Sequence, residues 1–231
     1  DGTVSNPYII SNGAELRYFA DEITNGENFY NKYIDISDDI YLNDVTKYSE
    51  GSKSQSPQNI WEPIGGNFAG TLDGNGHSIV GVYINSNEDK TGFFRELSLN
   101  SIPTIKNIQL KNIFVAGESQ TGGLVGHATF LDCTNVTVMG KISGKDSVGG
   151  FVGDGVGRRI TGPINFVNCS NYASVEGKEN KVGGIIGNYS NSGSTNDKLL
   201  INNCRNSGSV SGNEFVGGLG GCFIAETDSQ G

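Results

Sequence analysis

Two histidines, four cysteines and a scatter of carboxylates carry most of the reactive chemistry in this chain, and their spacing limits what they can do. Cys133, Cys169, Cys204 and Cys222 include no Cys-x-x-Cys pair, and only His77 and His127 could join them, which argues against a zinc site. A zinc peptidase would need a His-Glu-x-x-His helix, and the sequence has none. Glycoside hydrolysis needs two carboxylates held across a sugar. A lyase needs a basic side chain with acids projecting from neighbouring strands on one face. The acids here do not recur in phase: Asp38 and Asp39 come early, Asp73 next, and Asp132 and Asp154 much later. Asp35, Ser37 and Asp39 alternate and could share a strand face, but no calcium-loop spacing surrounds them. They read as a solvated strand edge, with a catalytic or calcium role as the competing reading. His77 closes Asp73-Gly-Asn-Gly-His77, where the glycines suggest a turn and not an activated base. No catalytic residue, metal ligand or cofactor is therefore expected, and the chain is not expected to be an enzyme.

Binding is the better expectation, and it rests on Arg158, Arg159, Tyr189 and His127. Arg158, Arg159 and Tyr189 lie in the insertions that lengthen two repeat units just after the glycine phrase, and His127 holds the equivalent place in a shorter unit. Guanidinium, phenol and imidazole groups could stack on and hydrogen-bond a sugar or a peptide. The competing reading is a set of tolerated surface loops. Asn135-Val-Thr137, Asn168-Cys-Ser170 and Asn188-Tyr-Ser190 match the glycosylation pattern, but two coincide with repeat corners and read as structural.

The elements that would position these residues come from an internal repeat. Thr121-Gly-Gly-Leu-Val-Gly126 returns as Val148-Gly-Gly-Phe-Val-Gly153, Val182-Gly-Gly-Ile-Ile-Gly187 and Val216-Gly-Gly-Leu-Gly-Gly221. The first glycines stand at 122, 149, 183 and 217, giving steps of 27, 34 and 34 residues. Between them lie Asp132-Cys133-Thr134-Asn135, Asn168-Cys169-Ser170-Asn171 and Asn203-Cys204-Arg205-Asn206. Short β-branched strands with glycine or asparagine corners leave no room for crossover helices. The pattern predicts an all-β fold, a right-handed parallel β-helix (solenoid) of about six to seven coils. Equivalent positions should stack. Cys133, Cys169 and Cys204 should form an inward ladder of small hydrophobes, with a disulfide or a reactive thiol as the alternatives. Asn135, Asn171 and Asn206 should form a second ladder. The insertions after the glycine phrase should make a continuous side wall.

Residues 1–32 differ. Asn6-Pro7-Tyr-Ile-Ile10 reads as a strand, and Leu16, Phe19, Ala20 and Ile23 fall at helical spacing. Asn12 and Glu15 form a plausible capping box, and Asn25-Gly26 ends the helix. An N-terminal α-helical cap followed by coils over 33–231, together one domain of a longer protein, is the expected organisation. The formal net charge of −9 argues against a nucleic-acid partner. No run approaches the ~20 apolar residues of a membrane span, so no membrane insertion is expected. The chain opens at Asp1 without a methionine, so a removed export signal is expected.

The Gly-Gly-Leu-Val-Gly phrase resembles the GLUG motif of bacterial surface proteins. Trp61-Glu-Pro-Ile-Gly-Gly, the run Phe68–Ile79 and the Asn6-Pro7-Tyr8 opening resemble the segments that accompany it. The resemblance implies an exported bacterial β-helix of the kind found in adhesins and beside IgA-specific metallopeptidase domains. It carries no catalytic residue. The expected function is a secreted or cell-surface adhesion module binding a glycan or a host surface protein. A carbohydrate-active β-helix and a structural stalk are the alternatives.

Overall fold

Short runs of alternating inward and outward residues build many of the strands of this protein, while those of the glycine-phrase region are buried throughout. In Gln109–Ala116, Leu110, Ile113 and Val115 are buried while the residues between them are not. The computed structural model describes residues 1–43, 57, 59–98, 101–157, 163–191 and 198–225. Among these the strands lie in four stacked sheets with one helix, and every pairing between named strands is parallel. Parallel pairing without crossover helices requires the chain to wind as a solenoid.

The first sheet has seven strands: Tyr8–Ile10, Tyr33–Ile36, Thr71–Asp73, Thr104–Lys106, Leu131–Thr134, Ile164–Val167 and Leu199–Asn202. The second runs from Ile40–Tyr41 through Ser78–Val80, Gln109–Ala116 and Thr137–Gly144 to Ser170–Asn171 and Arg205–Asn206. Tyr83–Asn85, Ser174–Gly177 and Val210–Ser211 extend its side. The third stacks Thr121–Gly122, Val148–Gly149, Asn180–Gly183 and Glu214–Gly217. The fourth stacks Phe94–Leu97, Val125–Ala128, Val152–Gly157, Ile186–Asn191 and Gly220–Ala225. The chain visits the sheets in that order and returns to the first.

The glycine phrase is the passage from the third sheet to the fourth. A Cβ on Gly149 would collide with the Val152 carbonyl oxygen, and one on Gly150 with the Gly184 carbonyl of the next coil. Only glycine allows backbone to approach backbone this closely.

The cysteine ladder needs correction. Cys169 is continuous with Val136 and Ile108, since Ser170 pairs with Thr137 and Thr137 with Gln109. Cys204 shares that column, because Arg205 pairs with Ser170. Cys133 instead lies in register with Ile105 and Phe166. The asparagines split in the same way. One ladder joins Asp73, Asn107, Asn135, Asn168 and Asn203, each amide donating to the preceding residue's oxygen at 2.7–3.1 Å. A separate pair joins Asn171 to Asn206 at 2.8 Å. The cause is conformational. The corner needs a left-handed residue, and Asn107, Asn135, Asn168 and Asn203 all have φ of 51–56°. Asparagine tolerates this region. The corner asparagine precedes cysteine in the later coils but follows Cys133 by two places.

The helix Gly13–Thr24 buries Leu16, Phe19, Ala20 and Ile23 in the same core as the strands. Asn12 Oδ1 accepts from the Ala14 and Glu15 amides at 3.0 Å, while Glu15 accepts from the Ser11 amide at 2.7 Å. Phe19 meets Phe68 edge-on at 5.6 Å, and the Arg17 guanidinium lies 4.3 Å from the Trp61 ring centre. Tyr8–Ile10 is a rung of the first sheet, paired with Tyr33–Ile36. At the other end Phe215, Val216, Leu219, Phe223 and Ile224 are exposed.

Candidate functional site

The fourth sheet aligns the residues that follow each glycine phrase. Glu96, His127, Asp154, Asn188 and Cys222 stand in one register, one per coil. Successive strands in a sheet lie about 4.8 Å apart, so the five form a continuous polar column. His127 and Asp154 side chains each keep only 10% of their exposure. His127 Nδ1 lies 3.0 Å from Asp154 Oδ2, and since a carboxylate only accepts, the imidazole donates. Gln120 Nε2 donates to the same oxygen at 3.0 Å, and Asn188 Nδ2 donates to Asp154 Oδ1 at 2.7 Å. Asp154 is thus surrounded by donors. Asn188 Oδ1 is buried without a hydrogen-bond partner among the described residues.

Glu96 is half-open and pairs with Lys90 Nζ at 2.7 Å. Burial pushes its carboxyl up, but hydrogen bonds from Lys90 and Ser98 and the charges of Lys90 and His127 outweigh it and hold the group below the usual range. Asp73, in the first sheet, shows the same balance. Burial raises it, and Asn107, the Asn75 amide and Lys106 at 3.0 Å bring it lower overall.

This geometry moves two of the expected binding residues. His127 and Tyr189 lie on strands and not on loops, at 8% and 7% exposure. His127 stands between Glu96 and Asp154 of the adjoining strands. Tyr189 lines a groove of about 430 Å³ with Asn191, Leu199, Ile201, Phe223 and Ile224. Arg158 and Arg159 lie outside the described residues. The points where the two insertions leave and rejoin the fold are nonetheless fixed. Gly157 and Asn191 are partners in the fourth sheet. Ile164 receives the returning chain beside Lys198, its amide donating to the Lys198 carbonyl at 3.2 Å. The two insertions are therefore rooted one above the other at both ends.

The cysteines are free thiols. Cys169 Sγ lies 3.7 Å from Cys133 Sγ inside the core, and burial pushes the Cys133 thiol well up. Such a thiol is a poor nucleophile. Cys222, half-buried, ends the polar column. His77 lies at a turn, its amide bonded to the Gly74 carbonyl at 2.7 Å and its ring 3.4 Å from Asp39. Among the described residues, no group of three or more His, Cys, Asp or Glu side chains is placed to hold a metal ion. Among them, too, no helix is long and apolar enough to cross a membrane.

No family model matches the chain. Halomucin of Haloquadratum walsbyi is 30% identical over 155 residues, which is 67% of this chain and 2% of halomucin. A protein of Evansella cellulosilytica named "Putative Gly-rich membrane protein" is 31% identical over 135 residues, 56% of this chain and 14% of that protein. The crystal structure of "a putative immunoglobulin A1 protease from Bacteroides ovatus" superposes with a TM-score of 0.71 at 22% identity, over 96% of this chain and 63% of that one. The chain therefore spans a small fraction of the sequence relatives and under two thirds of the structural neighbour, and what the neighbour shares with it is the fold.

Proposed function

We propose that this chain is a non-catalytic interaction module of an exported bacterial protein. It is a right-handed β-helix of six to seven coils that binds a glycan or a host protein through its side wall. The observation that carries this reading is the common rooting of the two insertions at Gly157 and Asn191 and again at Ile164 and Lys198. Insertions stacked on one face of a repeat protein form a ready binding surface. The polar column beneath them supports the same view. Asp154 accepts hydrogen bonds on both oxygens and Glu96 is paired, so these acids act within the wall. The names of the relatives and of the structural neighbour fit a module that works outside the cytoplasm.

A screen against arrayed glycans and host matrix proteins tests this, with Arg158→Ala/Arg159→Ala as the control. Selective binding that the double variant loses is the expected result. No binding by a folded sample would favour a structural stalk. A second reading, a carbohydrate-active enzyme, draws on His127 held by Asp154. It requires turnover of a polysaccharide that Asp154→Asn abolishes.

A further inference from the structure

The outer face of the second sheet has a composition unlike the rest of this acidic chain. Its strands bury Leu110, Ile113, Val115, Val138 and Ile142 and turn the alternate residues outward. One outward column reads Tyr83, Phe114, Lys141, Ser174 over four successive coils. The next reads Tyr41, Val80, Lys111, with Val80 covered to 7% exposure between the other two. Tyr83 and Phe114 lie flat on one another, ring centres 4.9 Å apart and planes within 12°. Further along, Tyr172 is 45% exposed, with the Arg205 guanidinium 5.9 Å from its ring centre. Tyr41 is 71% exposed. Neither column contains a carboxylate. Two acids share or border the face: Asp39, which accepts the Ser78 amide at 2.8 Å and feels the Lys111 charge, and Glu176, in the next outward column two residues beyond Ser174. Among the described residues, neither Lys111 nor Lys141 has an ion-pair partner.

Aromatic side chains are flat apolar platforms that tolerate water, and the C–H faces of sugar rings fit them. Ammonium groups beside such platforms select a negative charge at the ring's edge. The face offers at most one cation per coil, which matches a polymer with about one carboxylate on each sugar and not the dense charge of a polysulfate. With a net charge of −9 over the whole chain, an anionic polymer would be repelled elsewhere and drawn to this strip. We propose that the outer face of the second sheet binds a uronate-bearing polysaccharide, its rings laid on the open ring of Tyr41 and along the outward edge of the Tyr83–Phe114 stack, and its carboxylates paired with Lys111 and Lys141. The proposal rests on the reading of the chain as a binding module, but it places this ligand away from the insertions.

The test is calorimetric titration with polygalacturonate, heparin and neutral dextran, using wild type, Lys111→Gln/Lys141→Gln and Arg158→Ala/Arg159→Ala. Circular dichroism and melting temperature check the fold of each. The proposal expects polygalacturonate to bind wild type in preference to dextran and heparin, and to weaken with added salt. Each lost ammonium should weaken it about tenfold, and the arginine variant separates this face from the insertions. Absence of polygalacturonate binding would overturn the proposal, as would equal binding to dextran, stronger binding to heparin, or full affinity in the lysine variant. Polygalacturonate binding lost only in the arginine variant would also overturn it, while leaving the module reading intact. Run on neutral glycans and host matrix proteins, the array screen reads the insertions alone and can fail or succeed independently of these outcomes.

Discussion

A methyl group at Gly149 would meet the Val152 carbonyl oxygen, and the same clash waits at Gly122 and Gly183 against the third residue on. Gly149→Ala should therefore destabilise the protein by about 3 kcal/mol, read as a lower denaturation midpoint. The polar column beside the phrase is equally sensitive to substitution. Asp154→Ala leaves Gln120, His127 and Asn188 without their shared acceptor, and breaking such a buried arrangement costs about 3 kcal/mol. Asp154→Asn keeps one acceptor and should cost clearly less in the same denaturation experiment. The column itself was partly legible in the sequence, because His127, Asp154, Asn188 and Cys222 stand at one offset from the glycine phrase. Their burial was not. It depends on side chains such as Gln120, which sits at a corner with φ of 59°. Lys90, Ser147, Lys181 and Phe215 take the same left-handed conformation at 52–62°. Nothing in those residue types announces a corner, since stacking of the coils imposes the conformation.

At the scale of elements, asparagine and glycine signals located the strands well, but register followed the corner and not the cysteine. A residue three places out of phase still looks periodic in sequence, as Cys133 does. The N-terminal helix was readable because Leu16, Phe19, Ala20 and Ile23 repeat at its period and all four are buried. Phe19→Ala should cost about 3–5 kcal/mol by removing a ring packed against Phe29 and Phe68. A melting curve checks this. The walls also carry a pH signature. Asp39, Asp73 and Glu96 are all held below their ordinary values: Asp39 mainly by the Ser78 amide, the other two by hydrogen bonds and lysines that outweigh burial. A carboxyl with a lowered folded-state value stabilises the fold above its ordinary value and loses that contribution as pH falls through the lowered one. The melting temperature should be level from about pH 7 to 5 and fall below about pH 4. Asp73→Asn should flatten that acid limb.

At the scale of the whole molecule, the winding of parallel strands follows from the repeat, and the sequence carried it almost entirely. Function was less legible, because a repeat records what must pack and not what the outer columns meet. The insertions illustrate this. Their roots are fixed at Gly157 with Asn191 and at Ile164 with Lys198, whereas His127 and Tyr189, expected on the loops, belong to the wall beneath. The proposed module binds without turnover. Isothermal titration of the array-selected ligand into wild type and Arg158→Ala/Arg159→Ala separates such a module from an enzyme. A saturating isotherm with the ligand recovered intact, and at least tenfold weaker binding in the double variant, is the expected result. Continuing heat with cleaved ligand, or unchanged affinity in the double variant, would overturn the proposal.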